Sequence, residues 1–440
     1  MEAWIFTHND VTLEHWMADF ENTFDAWEAG GVRGIVIGRM QFRQDDDTRI
    51  PCWRPDPKVY ESFGVDPPAP APRDPEKEKR LQAMLDNAAA RGWHIMIFNG
   101  LQGLGGTQDI MNAFPQAHGV IIDGPGENHY ELMFHHGGEV FDTREHIRKS
   151  FAGIGADMDR IERGIHHLQE RFHHLTPDIV RYHASGGMLS GMILFDINED
   201  VTYWLRMRQE KSRRSWIEAR KVVDQMNRKV ELGGIPRTAT FSPLTGQDYQ
   251  QMAASFDYIF PKHYYWNRGF DGMYGTVSRW VQRILQWNPS LSELDAFAVI
   301  TSLFGLDLPG VTSLADMDIG FPDEFFSQVV YNETRRALDA INDVDKVICW
   351  VSTGRGPHQG DAMPARDLDR ILTASQQAGL KRFLFHPDPE LGAPEWRVIS
   401  GLCGQRWHED PESAYWPRDT ERPESSSRKG YYRPRFRPVD

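Results

Sequence analysis

A nine-residue stretch, Asp123 to Glu131 (DGPGENHYE), sets three carboxylates directly after the apolar run Val120-Ile121-Ile122. If that run is a strand, Asp123 ends it and points near the axis of the fold, while Gly124, Pro125 and Gly126 turn the chain and keep Glu127 close. Cleaving a glycosidic bond needs one carboxyl to protonate the leaving oxygen. A second, roughly 5–9.5 Å away, attacks the anomeric carbon or activates water. Asp123, Glu127 and Glu131 are candidates for that pair. The same residue types also serve as helix caps and solvated loop acids, so the motif is suggestive rather than diagnostic.

A second segment, Lys262-His263-Tyr264-Tyr265-Trp266, follows the apolar run Tyr258–Phe260. It offers a cation, a titratable ring and flat aromatic faces. Lys262 could pair with a strand-four acid. A lysine whose ammonium is disfavoured by burial or neighbouring cations could instead form a Schiff base with a carbonyl substrate. Polar and aromatic residues end other apolar runs too: His8, Asn99, Trp350, His386 and Asp388. Of these, His8, Asn99, His386 and Asp388 are expected substrate contacts, with Glu131, Lys262, His263 and Tyr264; Trp266 and Trp350 are expected stacking platforms.

These residues need elements that bring them to one place. Short runs rich in Ile, Val and Phe recur between segments of helical period: Ala3–Thr7, Gly34–Ile37, His94–Phe98, Gly119–Ile122, Thr238–Phe241, Tyr258–Phe260, Lys346–Val351 and Arg382–Phe385. Runs apolar on both faces read as buried parallel strands. Helices are expected over Leu13–Ala29, Glu76–Arg91 and Asp367–Ala378, each stopped by glycine. Eight strands alternating with helices imply a (β/α)₈ TIM barrel over residues 1–408, whose active face is the carboxyl end of the strands. Two departures stand out. The Pro-rich run Asp66–Pro75 follows the second strand, and a helical insertion of about residues 140–235 separates strands four and five. Residues 409–440 form a Pro- and Arg-rich tail without period.

With this plan the chain resembles the TIM-barrel glycoside hydrolases, on its acidic fourth strand end and aromatic-rich strand ends. The resemblance implies Glu127 as general acid/base and Asp123 as nucleophile or its electrostatic partner. It implies a saccharide or glycoside substrate and no cofactor. The chain has no Asn-Glu pair at the fourth strand end and no glutamate ending strand seven, so Asp271, Asp388 and Glu390 compete as second carboxylate. A Schiff-base lyase using Lys262 and a non-catalytic carbohydrate-binding barrel remain open.

Bulk properties exclude other classes. A formal charge of −14 and the lack of a basic stripe argue against nucleic acid. No run approaches the roughly 18–20 apolar residues of a membrane span. Three scattered cysteines, Cys52, Cys349 and Cys403, give neither a disulfide framework nor a zinc site, and fit a cytoplasmic location. His8, His129, His263 and His386 lack HxH or HExxH spacing, so no metal is expected. The Gly100–Gly106 run lacks the Lys-Ser/Thr of a phosphate loop. Fourteen tryptophans suit a protein that stacks on sugar rings, and homo-oligomers remain open.

Overall fold

A computed structural model describes residues 1–7, 10–38, 40–44, 46, 48–133, 138–265, 272–352, 365–386 and 391–407. Among them, nine strands form one sheet: β1 (Glu2–Thr7), β2 (Val32–Ile37), β3 (His94–Phe98), β4 (Gly119–Asp123), β5 (Glu231–Ile235), β6 (Tyr258–Ile259), β7 (Lys262–His263), β8 (Ile348–Ser352) and β9 (Arg382–His386). Their order is β6-β5-β4-β3-β2-β1-β9-β8-β7, with every neighbouring pair parallel. The sheet curls. Trp4, Phe6, Val36, Met96, Ile121, Ile235, Phe260, Tyr264, Ile348, Trp350 and Leu384 pack into one buried cluster on its concave face. Alternate residues, among them Ile5, Ile35, Ile95, Val120, Leu232, Cys349 and Phe383, pack outward against helices in a second cluster. Period-two alternation thus sends successive strand residues to opposite faces, with Trp4, Phe6, Phe260, Tyr264 and Trp350 giving the concave face its aromatic bulk.

β6 and β7 lie at opposite ends of the strand order, although only Phe260 and Pro261 separate them in the chain. Pro261 has no N–H, which breaks the ladder there. The Phe260 N–H donates to the Gly234 carbonyl (2.8 Å) and that of Lys262 to the Pro236 carbonyl (3.1 Å). On the other side, the Trp350 N–H donates to the Pro261 carbonyl (2.8 Å), and Ile259 bridges Val347.

Lys262–His263 is a strand beyond the expected eight, and seven of the expected strand positions coincide with strands. The fifth does not. Thr238–Phe241 leads into a short 3₁₀ turn, Ala239–Phe241, and the fifth strand is Glu231–Ile235, inside the stretch expected to be the helical insertion. Its sequence, ELGGI, looks unlike a strand because two glycines replace branched residues. Packing explains them: a Cβ on Gly233 would stand 2.8 Å from the Phe260 ring and 2.9 Å from Ile121, and one on Gly234 would stand 2.7 Å from Phe256. The expected helix over Leu13–Ala29 is likewise two, Asp10–Ala18 and Phe20–Ala29.

Between β4 and β5, among the described residues, lie five helices: Glu145–Ala152, Met158–His173, Pro177–His183, Gly187–Leu194 and Glu199–Asp224. The last starts where the Asn198 side chain accepts from the Val201 N–H at 2.9 Å. It buries Val201, Trp204, Arg208, Ser212, Trp216, Ala219 and Val223, one stripe at helical spacing. No helix among the described residues is long and apolar enough to cross a membrane.

Because Gly233 has no room for a side chain, Gly233→Val should destabilise the protein by about 1–3 kcal/mol through overpacking. Urea unfolding followed by circular dichroism checks this; an unchanged midpoint would show that the sheet yields there.

Candidate active site

β4 delivers Asp123 as its last residue. The next turn needs left-handed backbone at Gly124 (φ 56°) and Gly126 (φ 65°), which a side chain would strain. A Cβ on Gly126 would also stand 2.8 Å from the Ser212 backbone. Helix Glu199–Asp224 clamps the turn. Trp216 Nε1 donates to the Pro125 carbonyl (2.8 Å), and Ser212 Oγ to that of Gly126 (2.7 Å). Asn128 Nδ2 donates to the carbonyl of Thr245 (2.8 Å), and Lys211 Nζ donates to Asn128 Oδ1 (2.8 Å).

On this rigid turn stand two acids, each held by a buried cation. Lys262 Nζ, at the start of β7, lies 2.8 Å from Asp123 Oδ1; the lysine side chain is 2% exposed and the aspartate 35%. Arg237 Nε donates to both oxygens of Glu127, at 2.8 and 2.9 Å. The Arg237 backbone is fixed in turn: its N–H donates to Gln247 Oε1 (3.0 Å), and its carbonyl accepts from the Tyr249 hydroxyl. The Lys262 carbonyl accepts from Thr238 Oγ1 at 2.6 Å.

Burial and neighbouring charges shift three of these groups. Burial pushes the Asp123 carboxyl up, but Lys262 and Arg237 outweigh it and hold the acid below its usual range. Burial and the nearby Arg237 guanidinium lower the Lys262 ammonium, against the pull of Asp123 and Glu127. Burial would also weaken Arg237, yet Glu127, Tyr130 and Asp123 hold its proton more firmly than usual. Lys211 lies on the flank, brought down to about 8 by burial and by Arg208. The result is an ionised Asp123 whose outer face reaches solvent above a buried, cationic floor.

Aromatic rings complete that floor. The Lys262 ammonium lies 5.8 Å from the Trp350 ring and 6.0 Å from that of Tyr264. Trp350 packs edge-on against Phe6, Phe98 and Tyr264, and Tyr264 Oη lies 3.3 Å from His386 Nδ1. Trp350, Tyr264 and His386 are therefore buried beneath the acids. Asn99 lies beside them, its backbone left-handed (φ 54°), with its Oδ1 accepting from the Asp123 N–H at 3.4 Å.

Other expected site residues lie elsewhere. Glu131 is buried in an ion pair with Arg279 (2.7 Å) and accepts from Thr276 Oγ1 (2.9 Å), tying the loop to helix Met273–Trp287. His263 alternates with Lys262 and so points outward, with its Nε2 3.5 Å from Cys349 Sγ and its ring 5.2 Å from that of Tyr265. It is not brought to the acids. His8, Trp266 and Asp388, with Asp271 and Glu390, lie outside the described residues. Among those described, no group of three or more His, Cys, Asp or Glu could hold a metal ion.

Sequence reading missed Arg237 and Lys211. Arg237 follows the true fifth strand by two residues, so moving that strand to Glu231–Ile235 would have made it a strand-end residue. Lys211 carries no local signal, because it reaches Asn128 on the turn only through the packing of a long helix.

Burial brings His263 down to about 3 from an ordinary 6.5. The folded state disfavours the proton that the unfolded chain accepts. The associated stability is therefore present above about pH 6.5 and lost as pH falls toward the folded value. We expect Tm to decline over that window and His263→Leu to flatten the decline; an unchanged pH profile in the variant would assign the loss to other groups.

No protein-family model matches the chain, and no curated protein does. It is similar to several solved structures. The PgaB (BpsB) glycoside hydrolase domain from Bordetella bronchiseptica is 10% identical with a TM-score of 0.39, covering 92% of this chain and 99% of that one. The β-galactosidase from Marinomonas ef1 is 9% identical with a TM-score of 0.39, covering 92% and 59%. GH5_18 from Streptomyces cattleya, in complex with GlcNAc, is 13% identical with a TM-score of 0.31, covering 93% and 81%. The solved structures similar to this chain thus include glycoside hydrolases, at identities and TM-scores too low to transfer any residue's role.

Proposed function

We propose that this chain is a carbohydrate-active enzyme that hydrolyses a glycosidic bond at the Asp123–Glu127 face. The supporting fold would be a closed (β/α)₈ barrel. β6 and β7 would be halves of one strand interrupted at Pro261, an assignment supported by hydrogen bonds from Phe260 and Lys262 toward β5 and from Trp350 to Pro261. The five helices between β4 and β5 would then be an insertion beside the mouth, all within a single domain of residues 1–408.

One observation carries the reading: two carboxylates on one clamped turn, each ion-paired to a buried cation, above a floor of aromatic rings. Asp123, kept ionised and partly open to solvent, has the character of a nucleophile or of an electrostatic partner for a cationic sugar transition state. Its oxygen attacks the anomeric carbon, or faces the developing positive charge, as the bond to the leaving oxygen breaks. Glu127, separating from Arg237 when substrate enters and taking up a proton from solvent, gives that proton to the leaving oxygen. It then takes one from the water whose oxygen bonds the anomeric carbon, and where Asp123 has attacked, its carboxylate leaves. Lys262 and Arg237 position and charge the two acids. Asn99 borders the open side of Asp123 as a substrate contact.

A second reading has its own support. Lys262 is buried and its ammonium is weakened by burial and by Arg237, which is how amine nucleophiles are activated. Against it, Asp123 holds the ammonium at 2.8 Å and stands between it and solvent.

The deciding assay is turnover of α- and β-aryl glycosides and natural oligosaccharides. Asp123→Asn and Glu127→Gln should each lower kcat by about a thousandfold or more while remaining folded. Activity equal to wild type in both would make the acids structural. Reductive trapping by borohydride with carbonyl substrates would then test the lyase, and binding without turnover would leave a carbohydrate-binding barrel. Lys262→Met adds a check on the charge argument. Without the ammonium, the acid limb of the pH–rate profile should move up by about one pH unit, because Asp123 loses its partner. An unmoved limb would mean that Asp123 is not the ionising group.

A further inference from the structure

A cleft of about 610 Å³ opens beside the candidate active site and starts at its border residue, Asn99. Its size falls within the range of small-molecule sites. One wall is the Pro-rich segment after β2, contributing Asp66, Pro68, Ala69 and Ala71. The opposite wall is the start of helix Gly103–Ala113. The glycine-rich run that lacks a phosphate-loop pattern finds its use here: a Cβ on Gly105 would already crowd the Tyr60 ring at 3.3 Å, and one on Gly106 would stand 2.6 Å from Gln102 Cβ. Gly105 thus lets the helix approach Tyr60, and Gly106 lets the turn at Gln102 close against the helix start. Asp109, buried on the same helix, fixes the far wall by accepting from Trp53 Nε1 (2.9 Å), the Asp56 N–H (2.9 Å) and the Tyr60 hydroxyl (3.3 Å).

The lining has a definite chemistry. Trp53, Tyr60 and Phe98 supply ring surface, and Gln41, Asn99 and Gln102 supply amide groups that both donate and accept. Among the described lining residues there is no lysine or arginine, and the one acid is Asp66, which would repel anions. Flat apolar faces with neutral amides suit the axial C–H faces and hydroxyls of uncharged sugars. They do not suit uronates, sulfated sugars or phosphates. Continuity is direct, since Phe98 and Asn99 line the cleft while packing on Trp350 and bonding the Asp123 backbone, respectively.

We infer that this cleft is a binding subsite for a neutral oligosaccharide, whose chain runs from the Asp123 face across Asn99 and under the Pro-rich segment. The inference rests on the glycosidase reading for its substrate class and adds that the substrate has several uncharged rings. A proline-stiffened wall helps, because it loses little conformational freedom when the ligand seats.

Calorimetric binding of hexasaccharides tests it, with cellohexaose, maltohexaose, laminarihexaose and chitohexaose as neutral probes and hexagalacturonate as an anionic one. At least one neutral probe should bind, and hexagalacturonate should bind about tenfold more weakly or not at all. Ala71→Trp, an exposed wall position, fills the cleft and should weaken neutral binding about tenfold. The remote surface variant Leu189→Ser should not. Binding of no neutral probe, a preference for hexagalacturonate, or equal affinity in Ala71→Trp and wild type would each overturn the subsite. The two readings fail separately. Neutral binding that is sensitive to Ala71→Trp but lacks turnover sinks the hydrolase and keeps the cleft. Turnover of a hexasaccharide with the same kcat/KM in Ala71→Trp keeps the hydrolase and sinks the cleft.

Discussion

A lysine ammonium buried among aromatic rings needs an opposite charge within hydrogen-bond reach, and Asp123 provides it at 2.8 Å. That ion pair joins two segments far apart in the chain, the end of β4 and the start of β7. Breaking it would leave a charge stranded in an apolar interior, so the pair ties β4, inside the sheet, to β7 at one end of the strand order. Arg237 and Glu127 repeat the arrangement one step outward. Together the pairs make the mouth of the curled sheet a fixed electrostatic device, with its negative groups outward and its positive groups beneath.

The apolar interior sets the strength of this device. Trp4, Phe6, Phe260, Tyr264 and Trp350 fill the concave face and keep water from the cations. In such a medium a charge feels its neighbours more strongly than at the surface. The shifts at Asp123 and Lys262 follow from that: each is pushed toward neutrality by burial and pulled toward ionisation by its partner. The helices between β4 and β5 work from the other side. Trp216 and Ser212 hold the carbonyls of the turn, and Arg208 reaches the carbonyls of His129, Val140 and Leu244. The acids are therefore positioned by a long helix remote in sequence as well as by their own strand.

The fold was largely legible because its driving force is local in pattern. Short doubly buried runs such as AWIFT and HIMIF, with helices between them, have few alternatives to a parallel sheet. Legibility failed at ELGGI, where side-chain volume is removed so that Phe260, Phe256 and Ile121 can approach the backbone. No local pattern distinguishes glycines selected for close packing from glycines selected for a turn. That single misplacement hid Arg237, which then read as the residue before a strand instead of the residue after one. The outward position of His263 follows from the alternation fixed once Lys262 is known to face inward.

By itself the sequence determined the strand–helix alternation, the ends at which polar residues gather, and the segment holding Asp123 and Glu127, because burial periodicity and glycine turns act over a few residues. Tertiary structure alone decided which cation meets which acid and which histidine leaves the site. It also made a glycine-rich run and a proline-rich run into the two walls of a cleft. Those outcomes depend on sheet curl and helix docking, which bring together residues separated by more than a hundred positions, such as Asp123 with Lys262 and Glu127 with Arg237.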